Sequence, residues 1–299
     1  MATAARQESL TLRPISDALG VEIRGVDLAA LTEDLFAAIR TAWHAHSALL
    51  FRDQNLSDDD LIAFSRRFGA LDEAPVMETG RTAVPGKPEI YVISNVLGAD
   101  RKPIGSLGAG EAVWHTDMSY LPSPPYASML YAIEVPPAGG DTSLCGMKAA
   151  YDSLPPALRE HIAGLEIKHD GTYNSGGYLR EGVTASDDPT ASVGQAHPAV
   201  CRHPATGDAL LYLGRRRNAY VMGLSLEESE RLLDELWEYA VRPAHTYTHH
   251  WRVGDVLLWD NRATMHRRDP FDAATRRLMQ RTQIKGQSQP RAAVDAGAS

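Results

Sequence analysis

Apolar residues recur at helical spacing in four stretches of this chain and fall elsewhere into short runs. Ser57 and three aspartates, Asp58 to Asp60, precede Leu61, Ile62, Phe64 and Phe68, and Gly69 follows. That order predicts a helix with an N-cap, an acidic first turn, one apolar stripe and a glycine stop. Ser225 and Glu228 have capping-box spacing ahead of Leu232, Leu233, Leu236, Trp237 and Ala240. A third helix is predicted from near Thr32, carrying Leu35, Ile39 and Trp43, and a shorter fourth from Pro156 to Ile162.

The remaining regular segments are short, β-rich and bounded by Gly, Pro, Asn or Asp: residues 89–94, 127–133, 210–213, 256–259 and 278–284. They do not alternate with helices, which excludes a doubly wound parallel sheet. The pattern predicts a mainly β chain with flanking helices on a double-stranded β-helix, or jelly-roll, core. Residues 1–299 read as one domain, with the core over about 9–286 and a disordered tail after Gly286. Two polar, glycine-containing stretches, 75–87 and 170–197, read as surface loops, the second either an active-site lid or an inert insertion.

Composition narrows the partners. A net charge of −8 argues against nucleic acid, whose phosphates need a basic surface. No apolar run approaches a membrane span, and the N-terminus lacks the apolar core of a signal peptide. Two cysteines, Cys145 and Cys201, allow one disulfide but do not make a disulfide framework. A cytoplasmic protein acting on a small molecule is the expectation.

Chemistry enters at Trp114-His115-Thr116-Asp117. In an extended segment His115 and Asp117 point to one side. With a distant second histidine they have the composition of a 2-His-1-carboxylate site, which leaves three positions of an octahedral ion open. Alone the motif is weak, because a chain with 11 histidines yields about one His-x-Asp by chance. A second segment, Trp259-Asp260-Asn261-Arg262-Ala263-Thr264-Met265-His266, runs from an apolar strand through a polar turn to His266. Arg277 stands eleven residues further on. In a strand, Arg277, Met279, Arg281 and Gln283 share one face, and Leu278 and Ile284 share the other. Two inward arginines are costly unless they meet anions, whereas on an edge strand both would be solvated.

These segments, with Gly139-Gly140-Asp141-Thr142 between them, resemble the taurine dioxygenase / 2,4-dichlorophenoxyacetate dioxygenase family in identity and order. The likeness extends to Gly20–Leu28, Leu49–Gln54 and Arg67-Phe68-Gly69, and covers roughly residues 9–286. The resemblance implies an Fe(II)- and 2-oxoglutarate-dependent dioxygenase that uses O₂ and releases succinate and CO₂. It implies that His115, Asp117 and His266 bind Fe(II), that Arg277 and Thr142 hold 2-oxoglutarate, and that Arg281 grips an anionic substrate. Read without it, Gly-Gly-Asp-Thr is an ordinary turn, and Arg281 could instead brace a loop or pair with an internal acid. Homo-oligomers, dimers or tetramers, are common in that family.

The substrate implied is a carboxylate, phenoxy acid, sulfonate or sulfate ester, hydroxylated or oxidatively cleaved. With Asp at position 117 the expectation is hydroxylation and not halogenation, since related halogenases lack that carboxylate. Taurine itself fits poorly: the segment Phe68-Gly69-Ala70-Leu71-Asp72-Glu73-Ala74 lacks the histidine that contacts taurine in the taurine enzyme. Arg215-Arg216-Arg217 reads as a solvated basic turn, with a pocket-facing arginine as the alternative. Trp114 and Trp259 read as core, and His249-His250 as surface histidines. The rival function is a zinc-dependent hydrolase on the same His/Asp/His set, which would have no use for Arg277 or Thr142.

Overall fold

A computed structural model describes residues 10–74, 84–186 and 188–293. The N-terminal half contains β1 (Thr11–Pro14), β2 (Val21–Arg24), α1 (Glu33–His46), β3 (Ala48–Phe51), α2 (Asp58–Arg66), β4 (Tyr91–Ser94), β5 (Ser106–Leu107) and β6 (Ala112–His115). There follow β7 (Ala127–Glu134), β8 (Thr142–Gly146), α3 (Met147–Asp152), α4 (Pro156–Ile162), β9 (Glu166–Asp170), β10 (Gly194–Pro198), β11 (Val200–Arg202) and β12 (Ala209–Leu211). The last elements are β13 (Tyr220–Val221), α5 (Leu226–Ala240), β14 (Thr246–His249), β15 (Val256–Asp260), β16 (Thr264–Arg268) and β17 (Leu278–Ile284).

Eight strands form the larger sheet, in the order β1-β2-β3-β15-β7-β17-β4-β5, and β14-β8-β16-β6 form a second sheet. Pairing is antiparallel except between β2 and β3 and between β4 and β5. The sheets pack face to face: Leu257, Trp259, Leu130 and Met279 from the first share a core cluster with Leu144 from the second. This is the expected jelly roll.

Two-sided burial explains the unbroken apolar runs. In β15, Leu257 and Trp259 enter the inter-sheet core, while Val256 and Leu258 turn outward beneath α1 and α2, against Phe36, Ile39, Leu61 and Phe64. The outer face of the second sheet, through Cys145 and Met265, is covered by α3, α4 and α5. Each predicted helix is present. Thr32 caps α1, and α5 has the predicted Ser225/Glu228 capping box. A second capping box, Ser57 with Asp60, opens α2.

Several expectations need correction. The stretch 170–197 is not all loop, because its ends are strands: β10 pairs with β9 from Gly194↔Asp170 to Pro198↔Glu166. The stretch after Gly286 is ordered through Ala293, which is buried against α5. Backbone bonds tie Arg202 N–H to Arg291 O and Ala293 N–H to Val200 O, so this segment packs beside β11. The expected tail beyond it, 294–299, lies outside the described residues, as do 75–83 of the first loop. Helix α3 and strand β8 were not anticipated. Both cysteines are buried and free, Cys145 in the core under α5, so no disulfide forms. No helix of the described residues is long and apolar enough to cross a membrane.

Candidate active site

The second sheet brings the three motif residues together. His115 ends β6 and His266 is central in β16, and the two are register partners. Asp117 lies just past the end of β6, so its direction is fixed by a turn and not by strand alternation. Thr116 N–H donates to the Gly214 carbonyl, 3.1 Å away. Gly214 has φ +68°, and a Cβ there would lie 2.1 Å from His169 Nδ1, so only glycine fits. One ligand atom from each of His115, Asp117 and His266 falls within 4.8 Å of the others.

Hydrogen bonds orient the set. His115 Nδ1–H donates to the Val113 carbonyl at 2.7 Å, which leaves the Nε2 lone pair free. Asp117 Oδ2 accepts from Ser128 Oγ at 2.7 Å. Its Oδ1 faces His115 Nε2 at 3.6 Å and His266 Nε2 at 3.8 Å. Burial alone would raise the Asp117 carboxyl; Arg281 and the two imidazoles overcome it and hold the group well below the usual carboxylate range. Burial, aided by His115, pulls His266 down to about 3 against the opposing pull of Asp117. Asp117 is therefore an ionised carboxylate and His266 a neutral imidazole at neutral pH, the protonation states in which each can bind a divalent metal. Trp259 packs on His266 with ring centroids 4.7 Å apart, and is core as expected.

Asn261 is the residue that motif reading passed over. It is buried; its Oδ1 accepts from Asp117 N–H at 2.9 Å, and its Nδ2 donates to Asp117 O and Pro125 O. The side chain thus clamps the main chain of Asp117 through both its N–H and its C=O. Its only local signal was that of a turn asparagine after a strand.

A cavity of about 300 Å³ opens beside the cluster and is lined by Thr142, Arg277 and Arg281. Arg277 is 1% exposed, yet its Nε, Nη1 and Nη2 have no hydrogen-bond partner among the described residues. Burial, with Arg268 nearby, pulls it down to about 9, and Asp141 opposes this. It stays a cation at neutral pH. Gly140 makes its room: φ is +70°, and a Cβ there would stand 3.2 Å from the Arg277 side chain. The Gly-Gly turn therefore does more than reverse the chain. Thr142 is buried at the start of β8, and its Oγ1 accepts from Trp251 Nε1 at 3.1 Å, which leaves the hydroxyl proton free to donate.

The period-2 expectation for β17 holds. Met279 lies in the inter-sheet core and Arg281 and Gln283 line the cavity, whereas Leu278 and Ile284 pack on the opposite side. Arg281 Nη1 lies 3.3 Å from Asp117 Oδ1. The basic turn is corrected in part. Arg216 makes the expected surface pairs with Glu230 and Asp234, but Arg215 is buried against Asp170 at 2.8 Å and lines the cavity. His249 is also corrected: it is fully buried on Asp255, and His250 alone is exposed. A larger cavity, about 410 Å³, lies between Tyr126, His203 and Tyr212 and includes none of the cluster.

Comparison with known proteins agrees with this geometry. Residues 11–283 match the profile of the taurine catabolism dioxygenase TauD, TfdA family. The chain is 32% identical to the (S)-phenoxypropionate/alpha-ketoglutarate-dioxygenase of Delftia acidovorans, over 96% of this chain and 99% of that one. The structure of a taurine dioxygenase from Burkholderia xenovorans superposes with a TM-score of 0.76 at 32% identity, covering 96% of this chain and 97% of that one. A protein named AAD-2, solved with Mn(II) and N-oxalylglycine, superposes with a TM-score of 0.75 at 28% identity, covering 94% and 99%. The zinc-hydrolase alternative gains no support, since a hydrolytic site has no task for the buried Arg277 cation. With the cluster, the anion-ready cavity and the match over nearly its whole length in agreement, this chain belongs to the TauD, TfdA family of alpha-ketoglutarate-dependent dioxygenases.

Proposed function

We propose that this chain uses Fe(II) and 2-oxoglutarate to hydroxylate or oxidatively cleave a small organic anion, with one catalytic domain spanning residues 1–299. The observation that carries the reading is Arg277, a fully buried guanidinium with no hydrogen-bond partner among the described residues, beside a His/Asp/His cluster. A buried cation of that kind is strongly unfavourable unless an anion completes it. The distal carboxylate of 2-oxoglutarate is that anion, received by the Arg277 fork and the Thr142 hydroxyl.

In this reading His115, Asp117 and His266 hold the metal on one face. When bound, Fe(II) with 2-oxoglutarate and O₂ supplies the oxidising chemistry, and succinate and CO₂ leave. The chain's own residues bind and aim. Ser128 and Asn261 fix the carboxylate and the backbone of Asp117, and Trp259 fixes the His266 ring. Arg281, on the same face of β17 as Arg277, draws the acidic group of the substrate to the metal side of the cavity. The relatives' names point the same way: phenoxypropionate carries a carboxylate and taurine a sulfonate.

Anaerobic titration tests the pairing of metal and cosubstrate. Fe(II) plus 2-oxoglutarate should give a weak visible charge-transfer band, which Zn(II) cannot produce. Full activity with zinc and no band with iron would overturn the proposal in favour of a hydrolase. A second expectation concerns Asn261→Ala. Losing two hydrogen bonds to the Asp117 main chain and one to the Pro125 carbonyl should weaken Fe(II) binding by about 10- to 100-fold, as outer-shell losses do. Unchanged affinity in a metal titration would remove Asn261 from the positioning role.

A further inference from the structure

Five guanidinium groups line the catalytic cavity: Arg180, Arg215, Arg268, Arg277 and Arg281. The same wall carries the carboxylates Asp72, Glu73, Asp117 and Asp170, so what a bound substrate could complete is read from the partner of each guanidinium in turn. Arg215 is neutralised by Asp170 at 2.8 Å. Arg268 donates to the Gly110 carbonyl. Arg277 is completed by 2-oxoglutarate in the reading above. The carboxylate beside Arg281 is Asp117, which that reading commits to the metal, so Arg281 awaits one substrate anion.

Arg180 is left over. It comes from the segment between β9 and β10 and lines the cavity together with Arg281 of β17. Its guanidinium lies 4.1 Å from the centre of the Tyr120 ring, its Nε is buried without a partner, and no described carboxylate pairs with it. The stack fixes the plane of the fork while leaving its edge available. The segment from Asp170 to Arg180 is held by hydrogen bonds. Asp170 accepts from Thr172 N–H and Tyr173 N–H, and Arg180 N–H donates to the Thr172 carbonyl at 2.9 Å. Arg180 is thus preorganised for an acceptor that the protein does not provide.

We infer that the substrate carries two acidic groups, one drawn to Arg281 beside the metal and the other held by Arg180. This rests on the proposed function and specifies its substrate class: a small diacid, with the oxidised carbon nearer the Arg281 end. Arg180 then sets specificity through binding, whereas the chemistry depends on the metal cluster.

The test uses full-length enzyme loaded with Fe(II) and 2-oxoglutarate, and paired probes that differ by one acid. Phenoxyacetate is compared with 4-carboxyphenoxyacetate, and hexanoate with adipate, by succinate release and by perturbation of the anaerobic visible band. At least one diacid should exceed its monoacid partner by about 10- to 100-fold in kcat/KM, the scale of a hydrogen bond to a charged group. Arg180→Gln should erase that preference through the KM of the diacid, and Arg180→Lys should restore much of it. The 2-oxoglutarate band should persist in both variants, which shows that they are folded and competent. No diacid preference in the wild type, or a preference that survives Arg180→Gln, overturns this inference while leaving the proposed function standing. Absence of the 2-oxoglutarate band in the wild type overturns both.

Discussion

Alanine at position 117 should lower substrate-triggered succinate formation by on the order of a thousand-fold, more than the 10- to 100-fold typical of outer-shell changes. Asp117 is the carboxylate of the cluster, and its two oxygens already have separate tasks. Oδ2 is committed to Ser128, and Oδ1 faces both imidazoles and Arg281. Without it a divalent ion would meet two neutral rings near the Arg281 cation, an unfavourable balance of charge. The fold should survive, because Asn261 holds residue 117 through its main-chain N–H and C=O, which alanine keeps. Circular dichroism like that of the wild type, with metal affinity and succinate formation both lost, is the expected pattern. Asp117→Asn keeps the size but removes the charge, so it should fail nearly as badly. A variant that formed succinate at the wild-type rate would remove Asp117 from the ligand set.

What could be read ahead of the structure was local in origin. Thr32, Ser57 and Ser225 announce their helices because a cap and its partner lie within one turn. The face shared by Met279, Arg281 and Gln283 follows from strand geometry alone. Misreadings arose where a residue's fate depends on a distant partner. Arg215 and Arg216 are neighbours of identical type, yet Asp170 takes the first into the cavity wall and α5 keeps the second at the surface. His249 reads as a surface residue until Asp255 is placed against it. The segment 287–293 has the composition of a free tail, but β11 offers it backbone partners and α5 a place for Ala293. In Trp259–His266, the spacing drew the eye to the histidine. The asparagine that clamps Asp117 stood in the same string, and only the fold shows that its side chain reaches back 144 positions to do so.

Arg277 offers a test in which stability and function should move in opposite directions. Its guanidinium is dehydrated, has no hydrogen-bond partner among the described residues and is crowded by Arg268, so in the apo protein it is a cost that the fold bears. Arg277→Met fills similar space with an apolar chain, and should leave the apo protein as stable or more stable by about 1–4 kcal/mol, as when other buried charges are replaced by apolar residues. The same change should weaken 2-oxoglutarate binding by about 2–5 kcal/mol, roughly 30- to 5000-fold, because truncating one partner of a buried charge pair leaves the other unmatched. Arg277→Lys keeps the charge but loses the fork, and should fall between. Denaturant unfolding of the apo protein and titration of the visible band measure the two effects separately. A residue that served the core alone would lose stability on replacement and leave cosubstrate affinity unchanged. That outcome would take away the observation on which the proposed function rests. A gain in stability with a loss of 2-oxoglutarate binding would show why the fold keeps this cation in its interior.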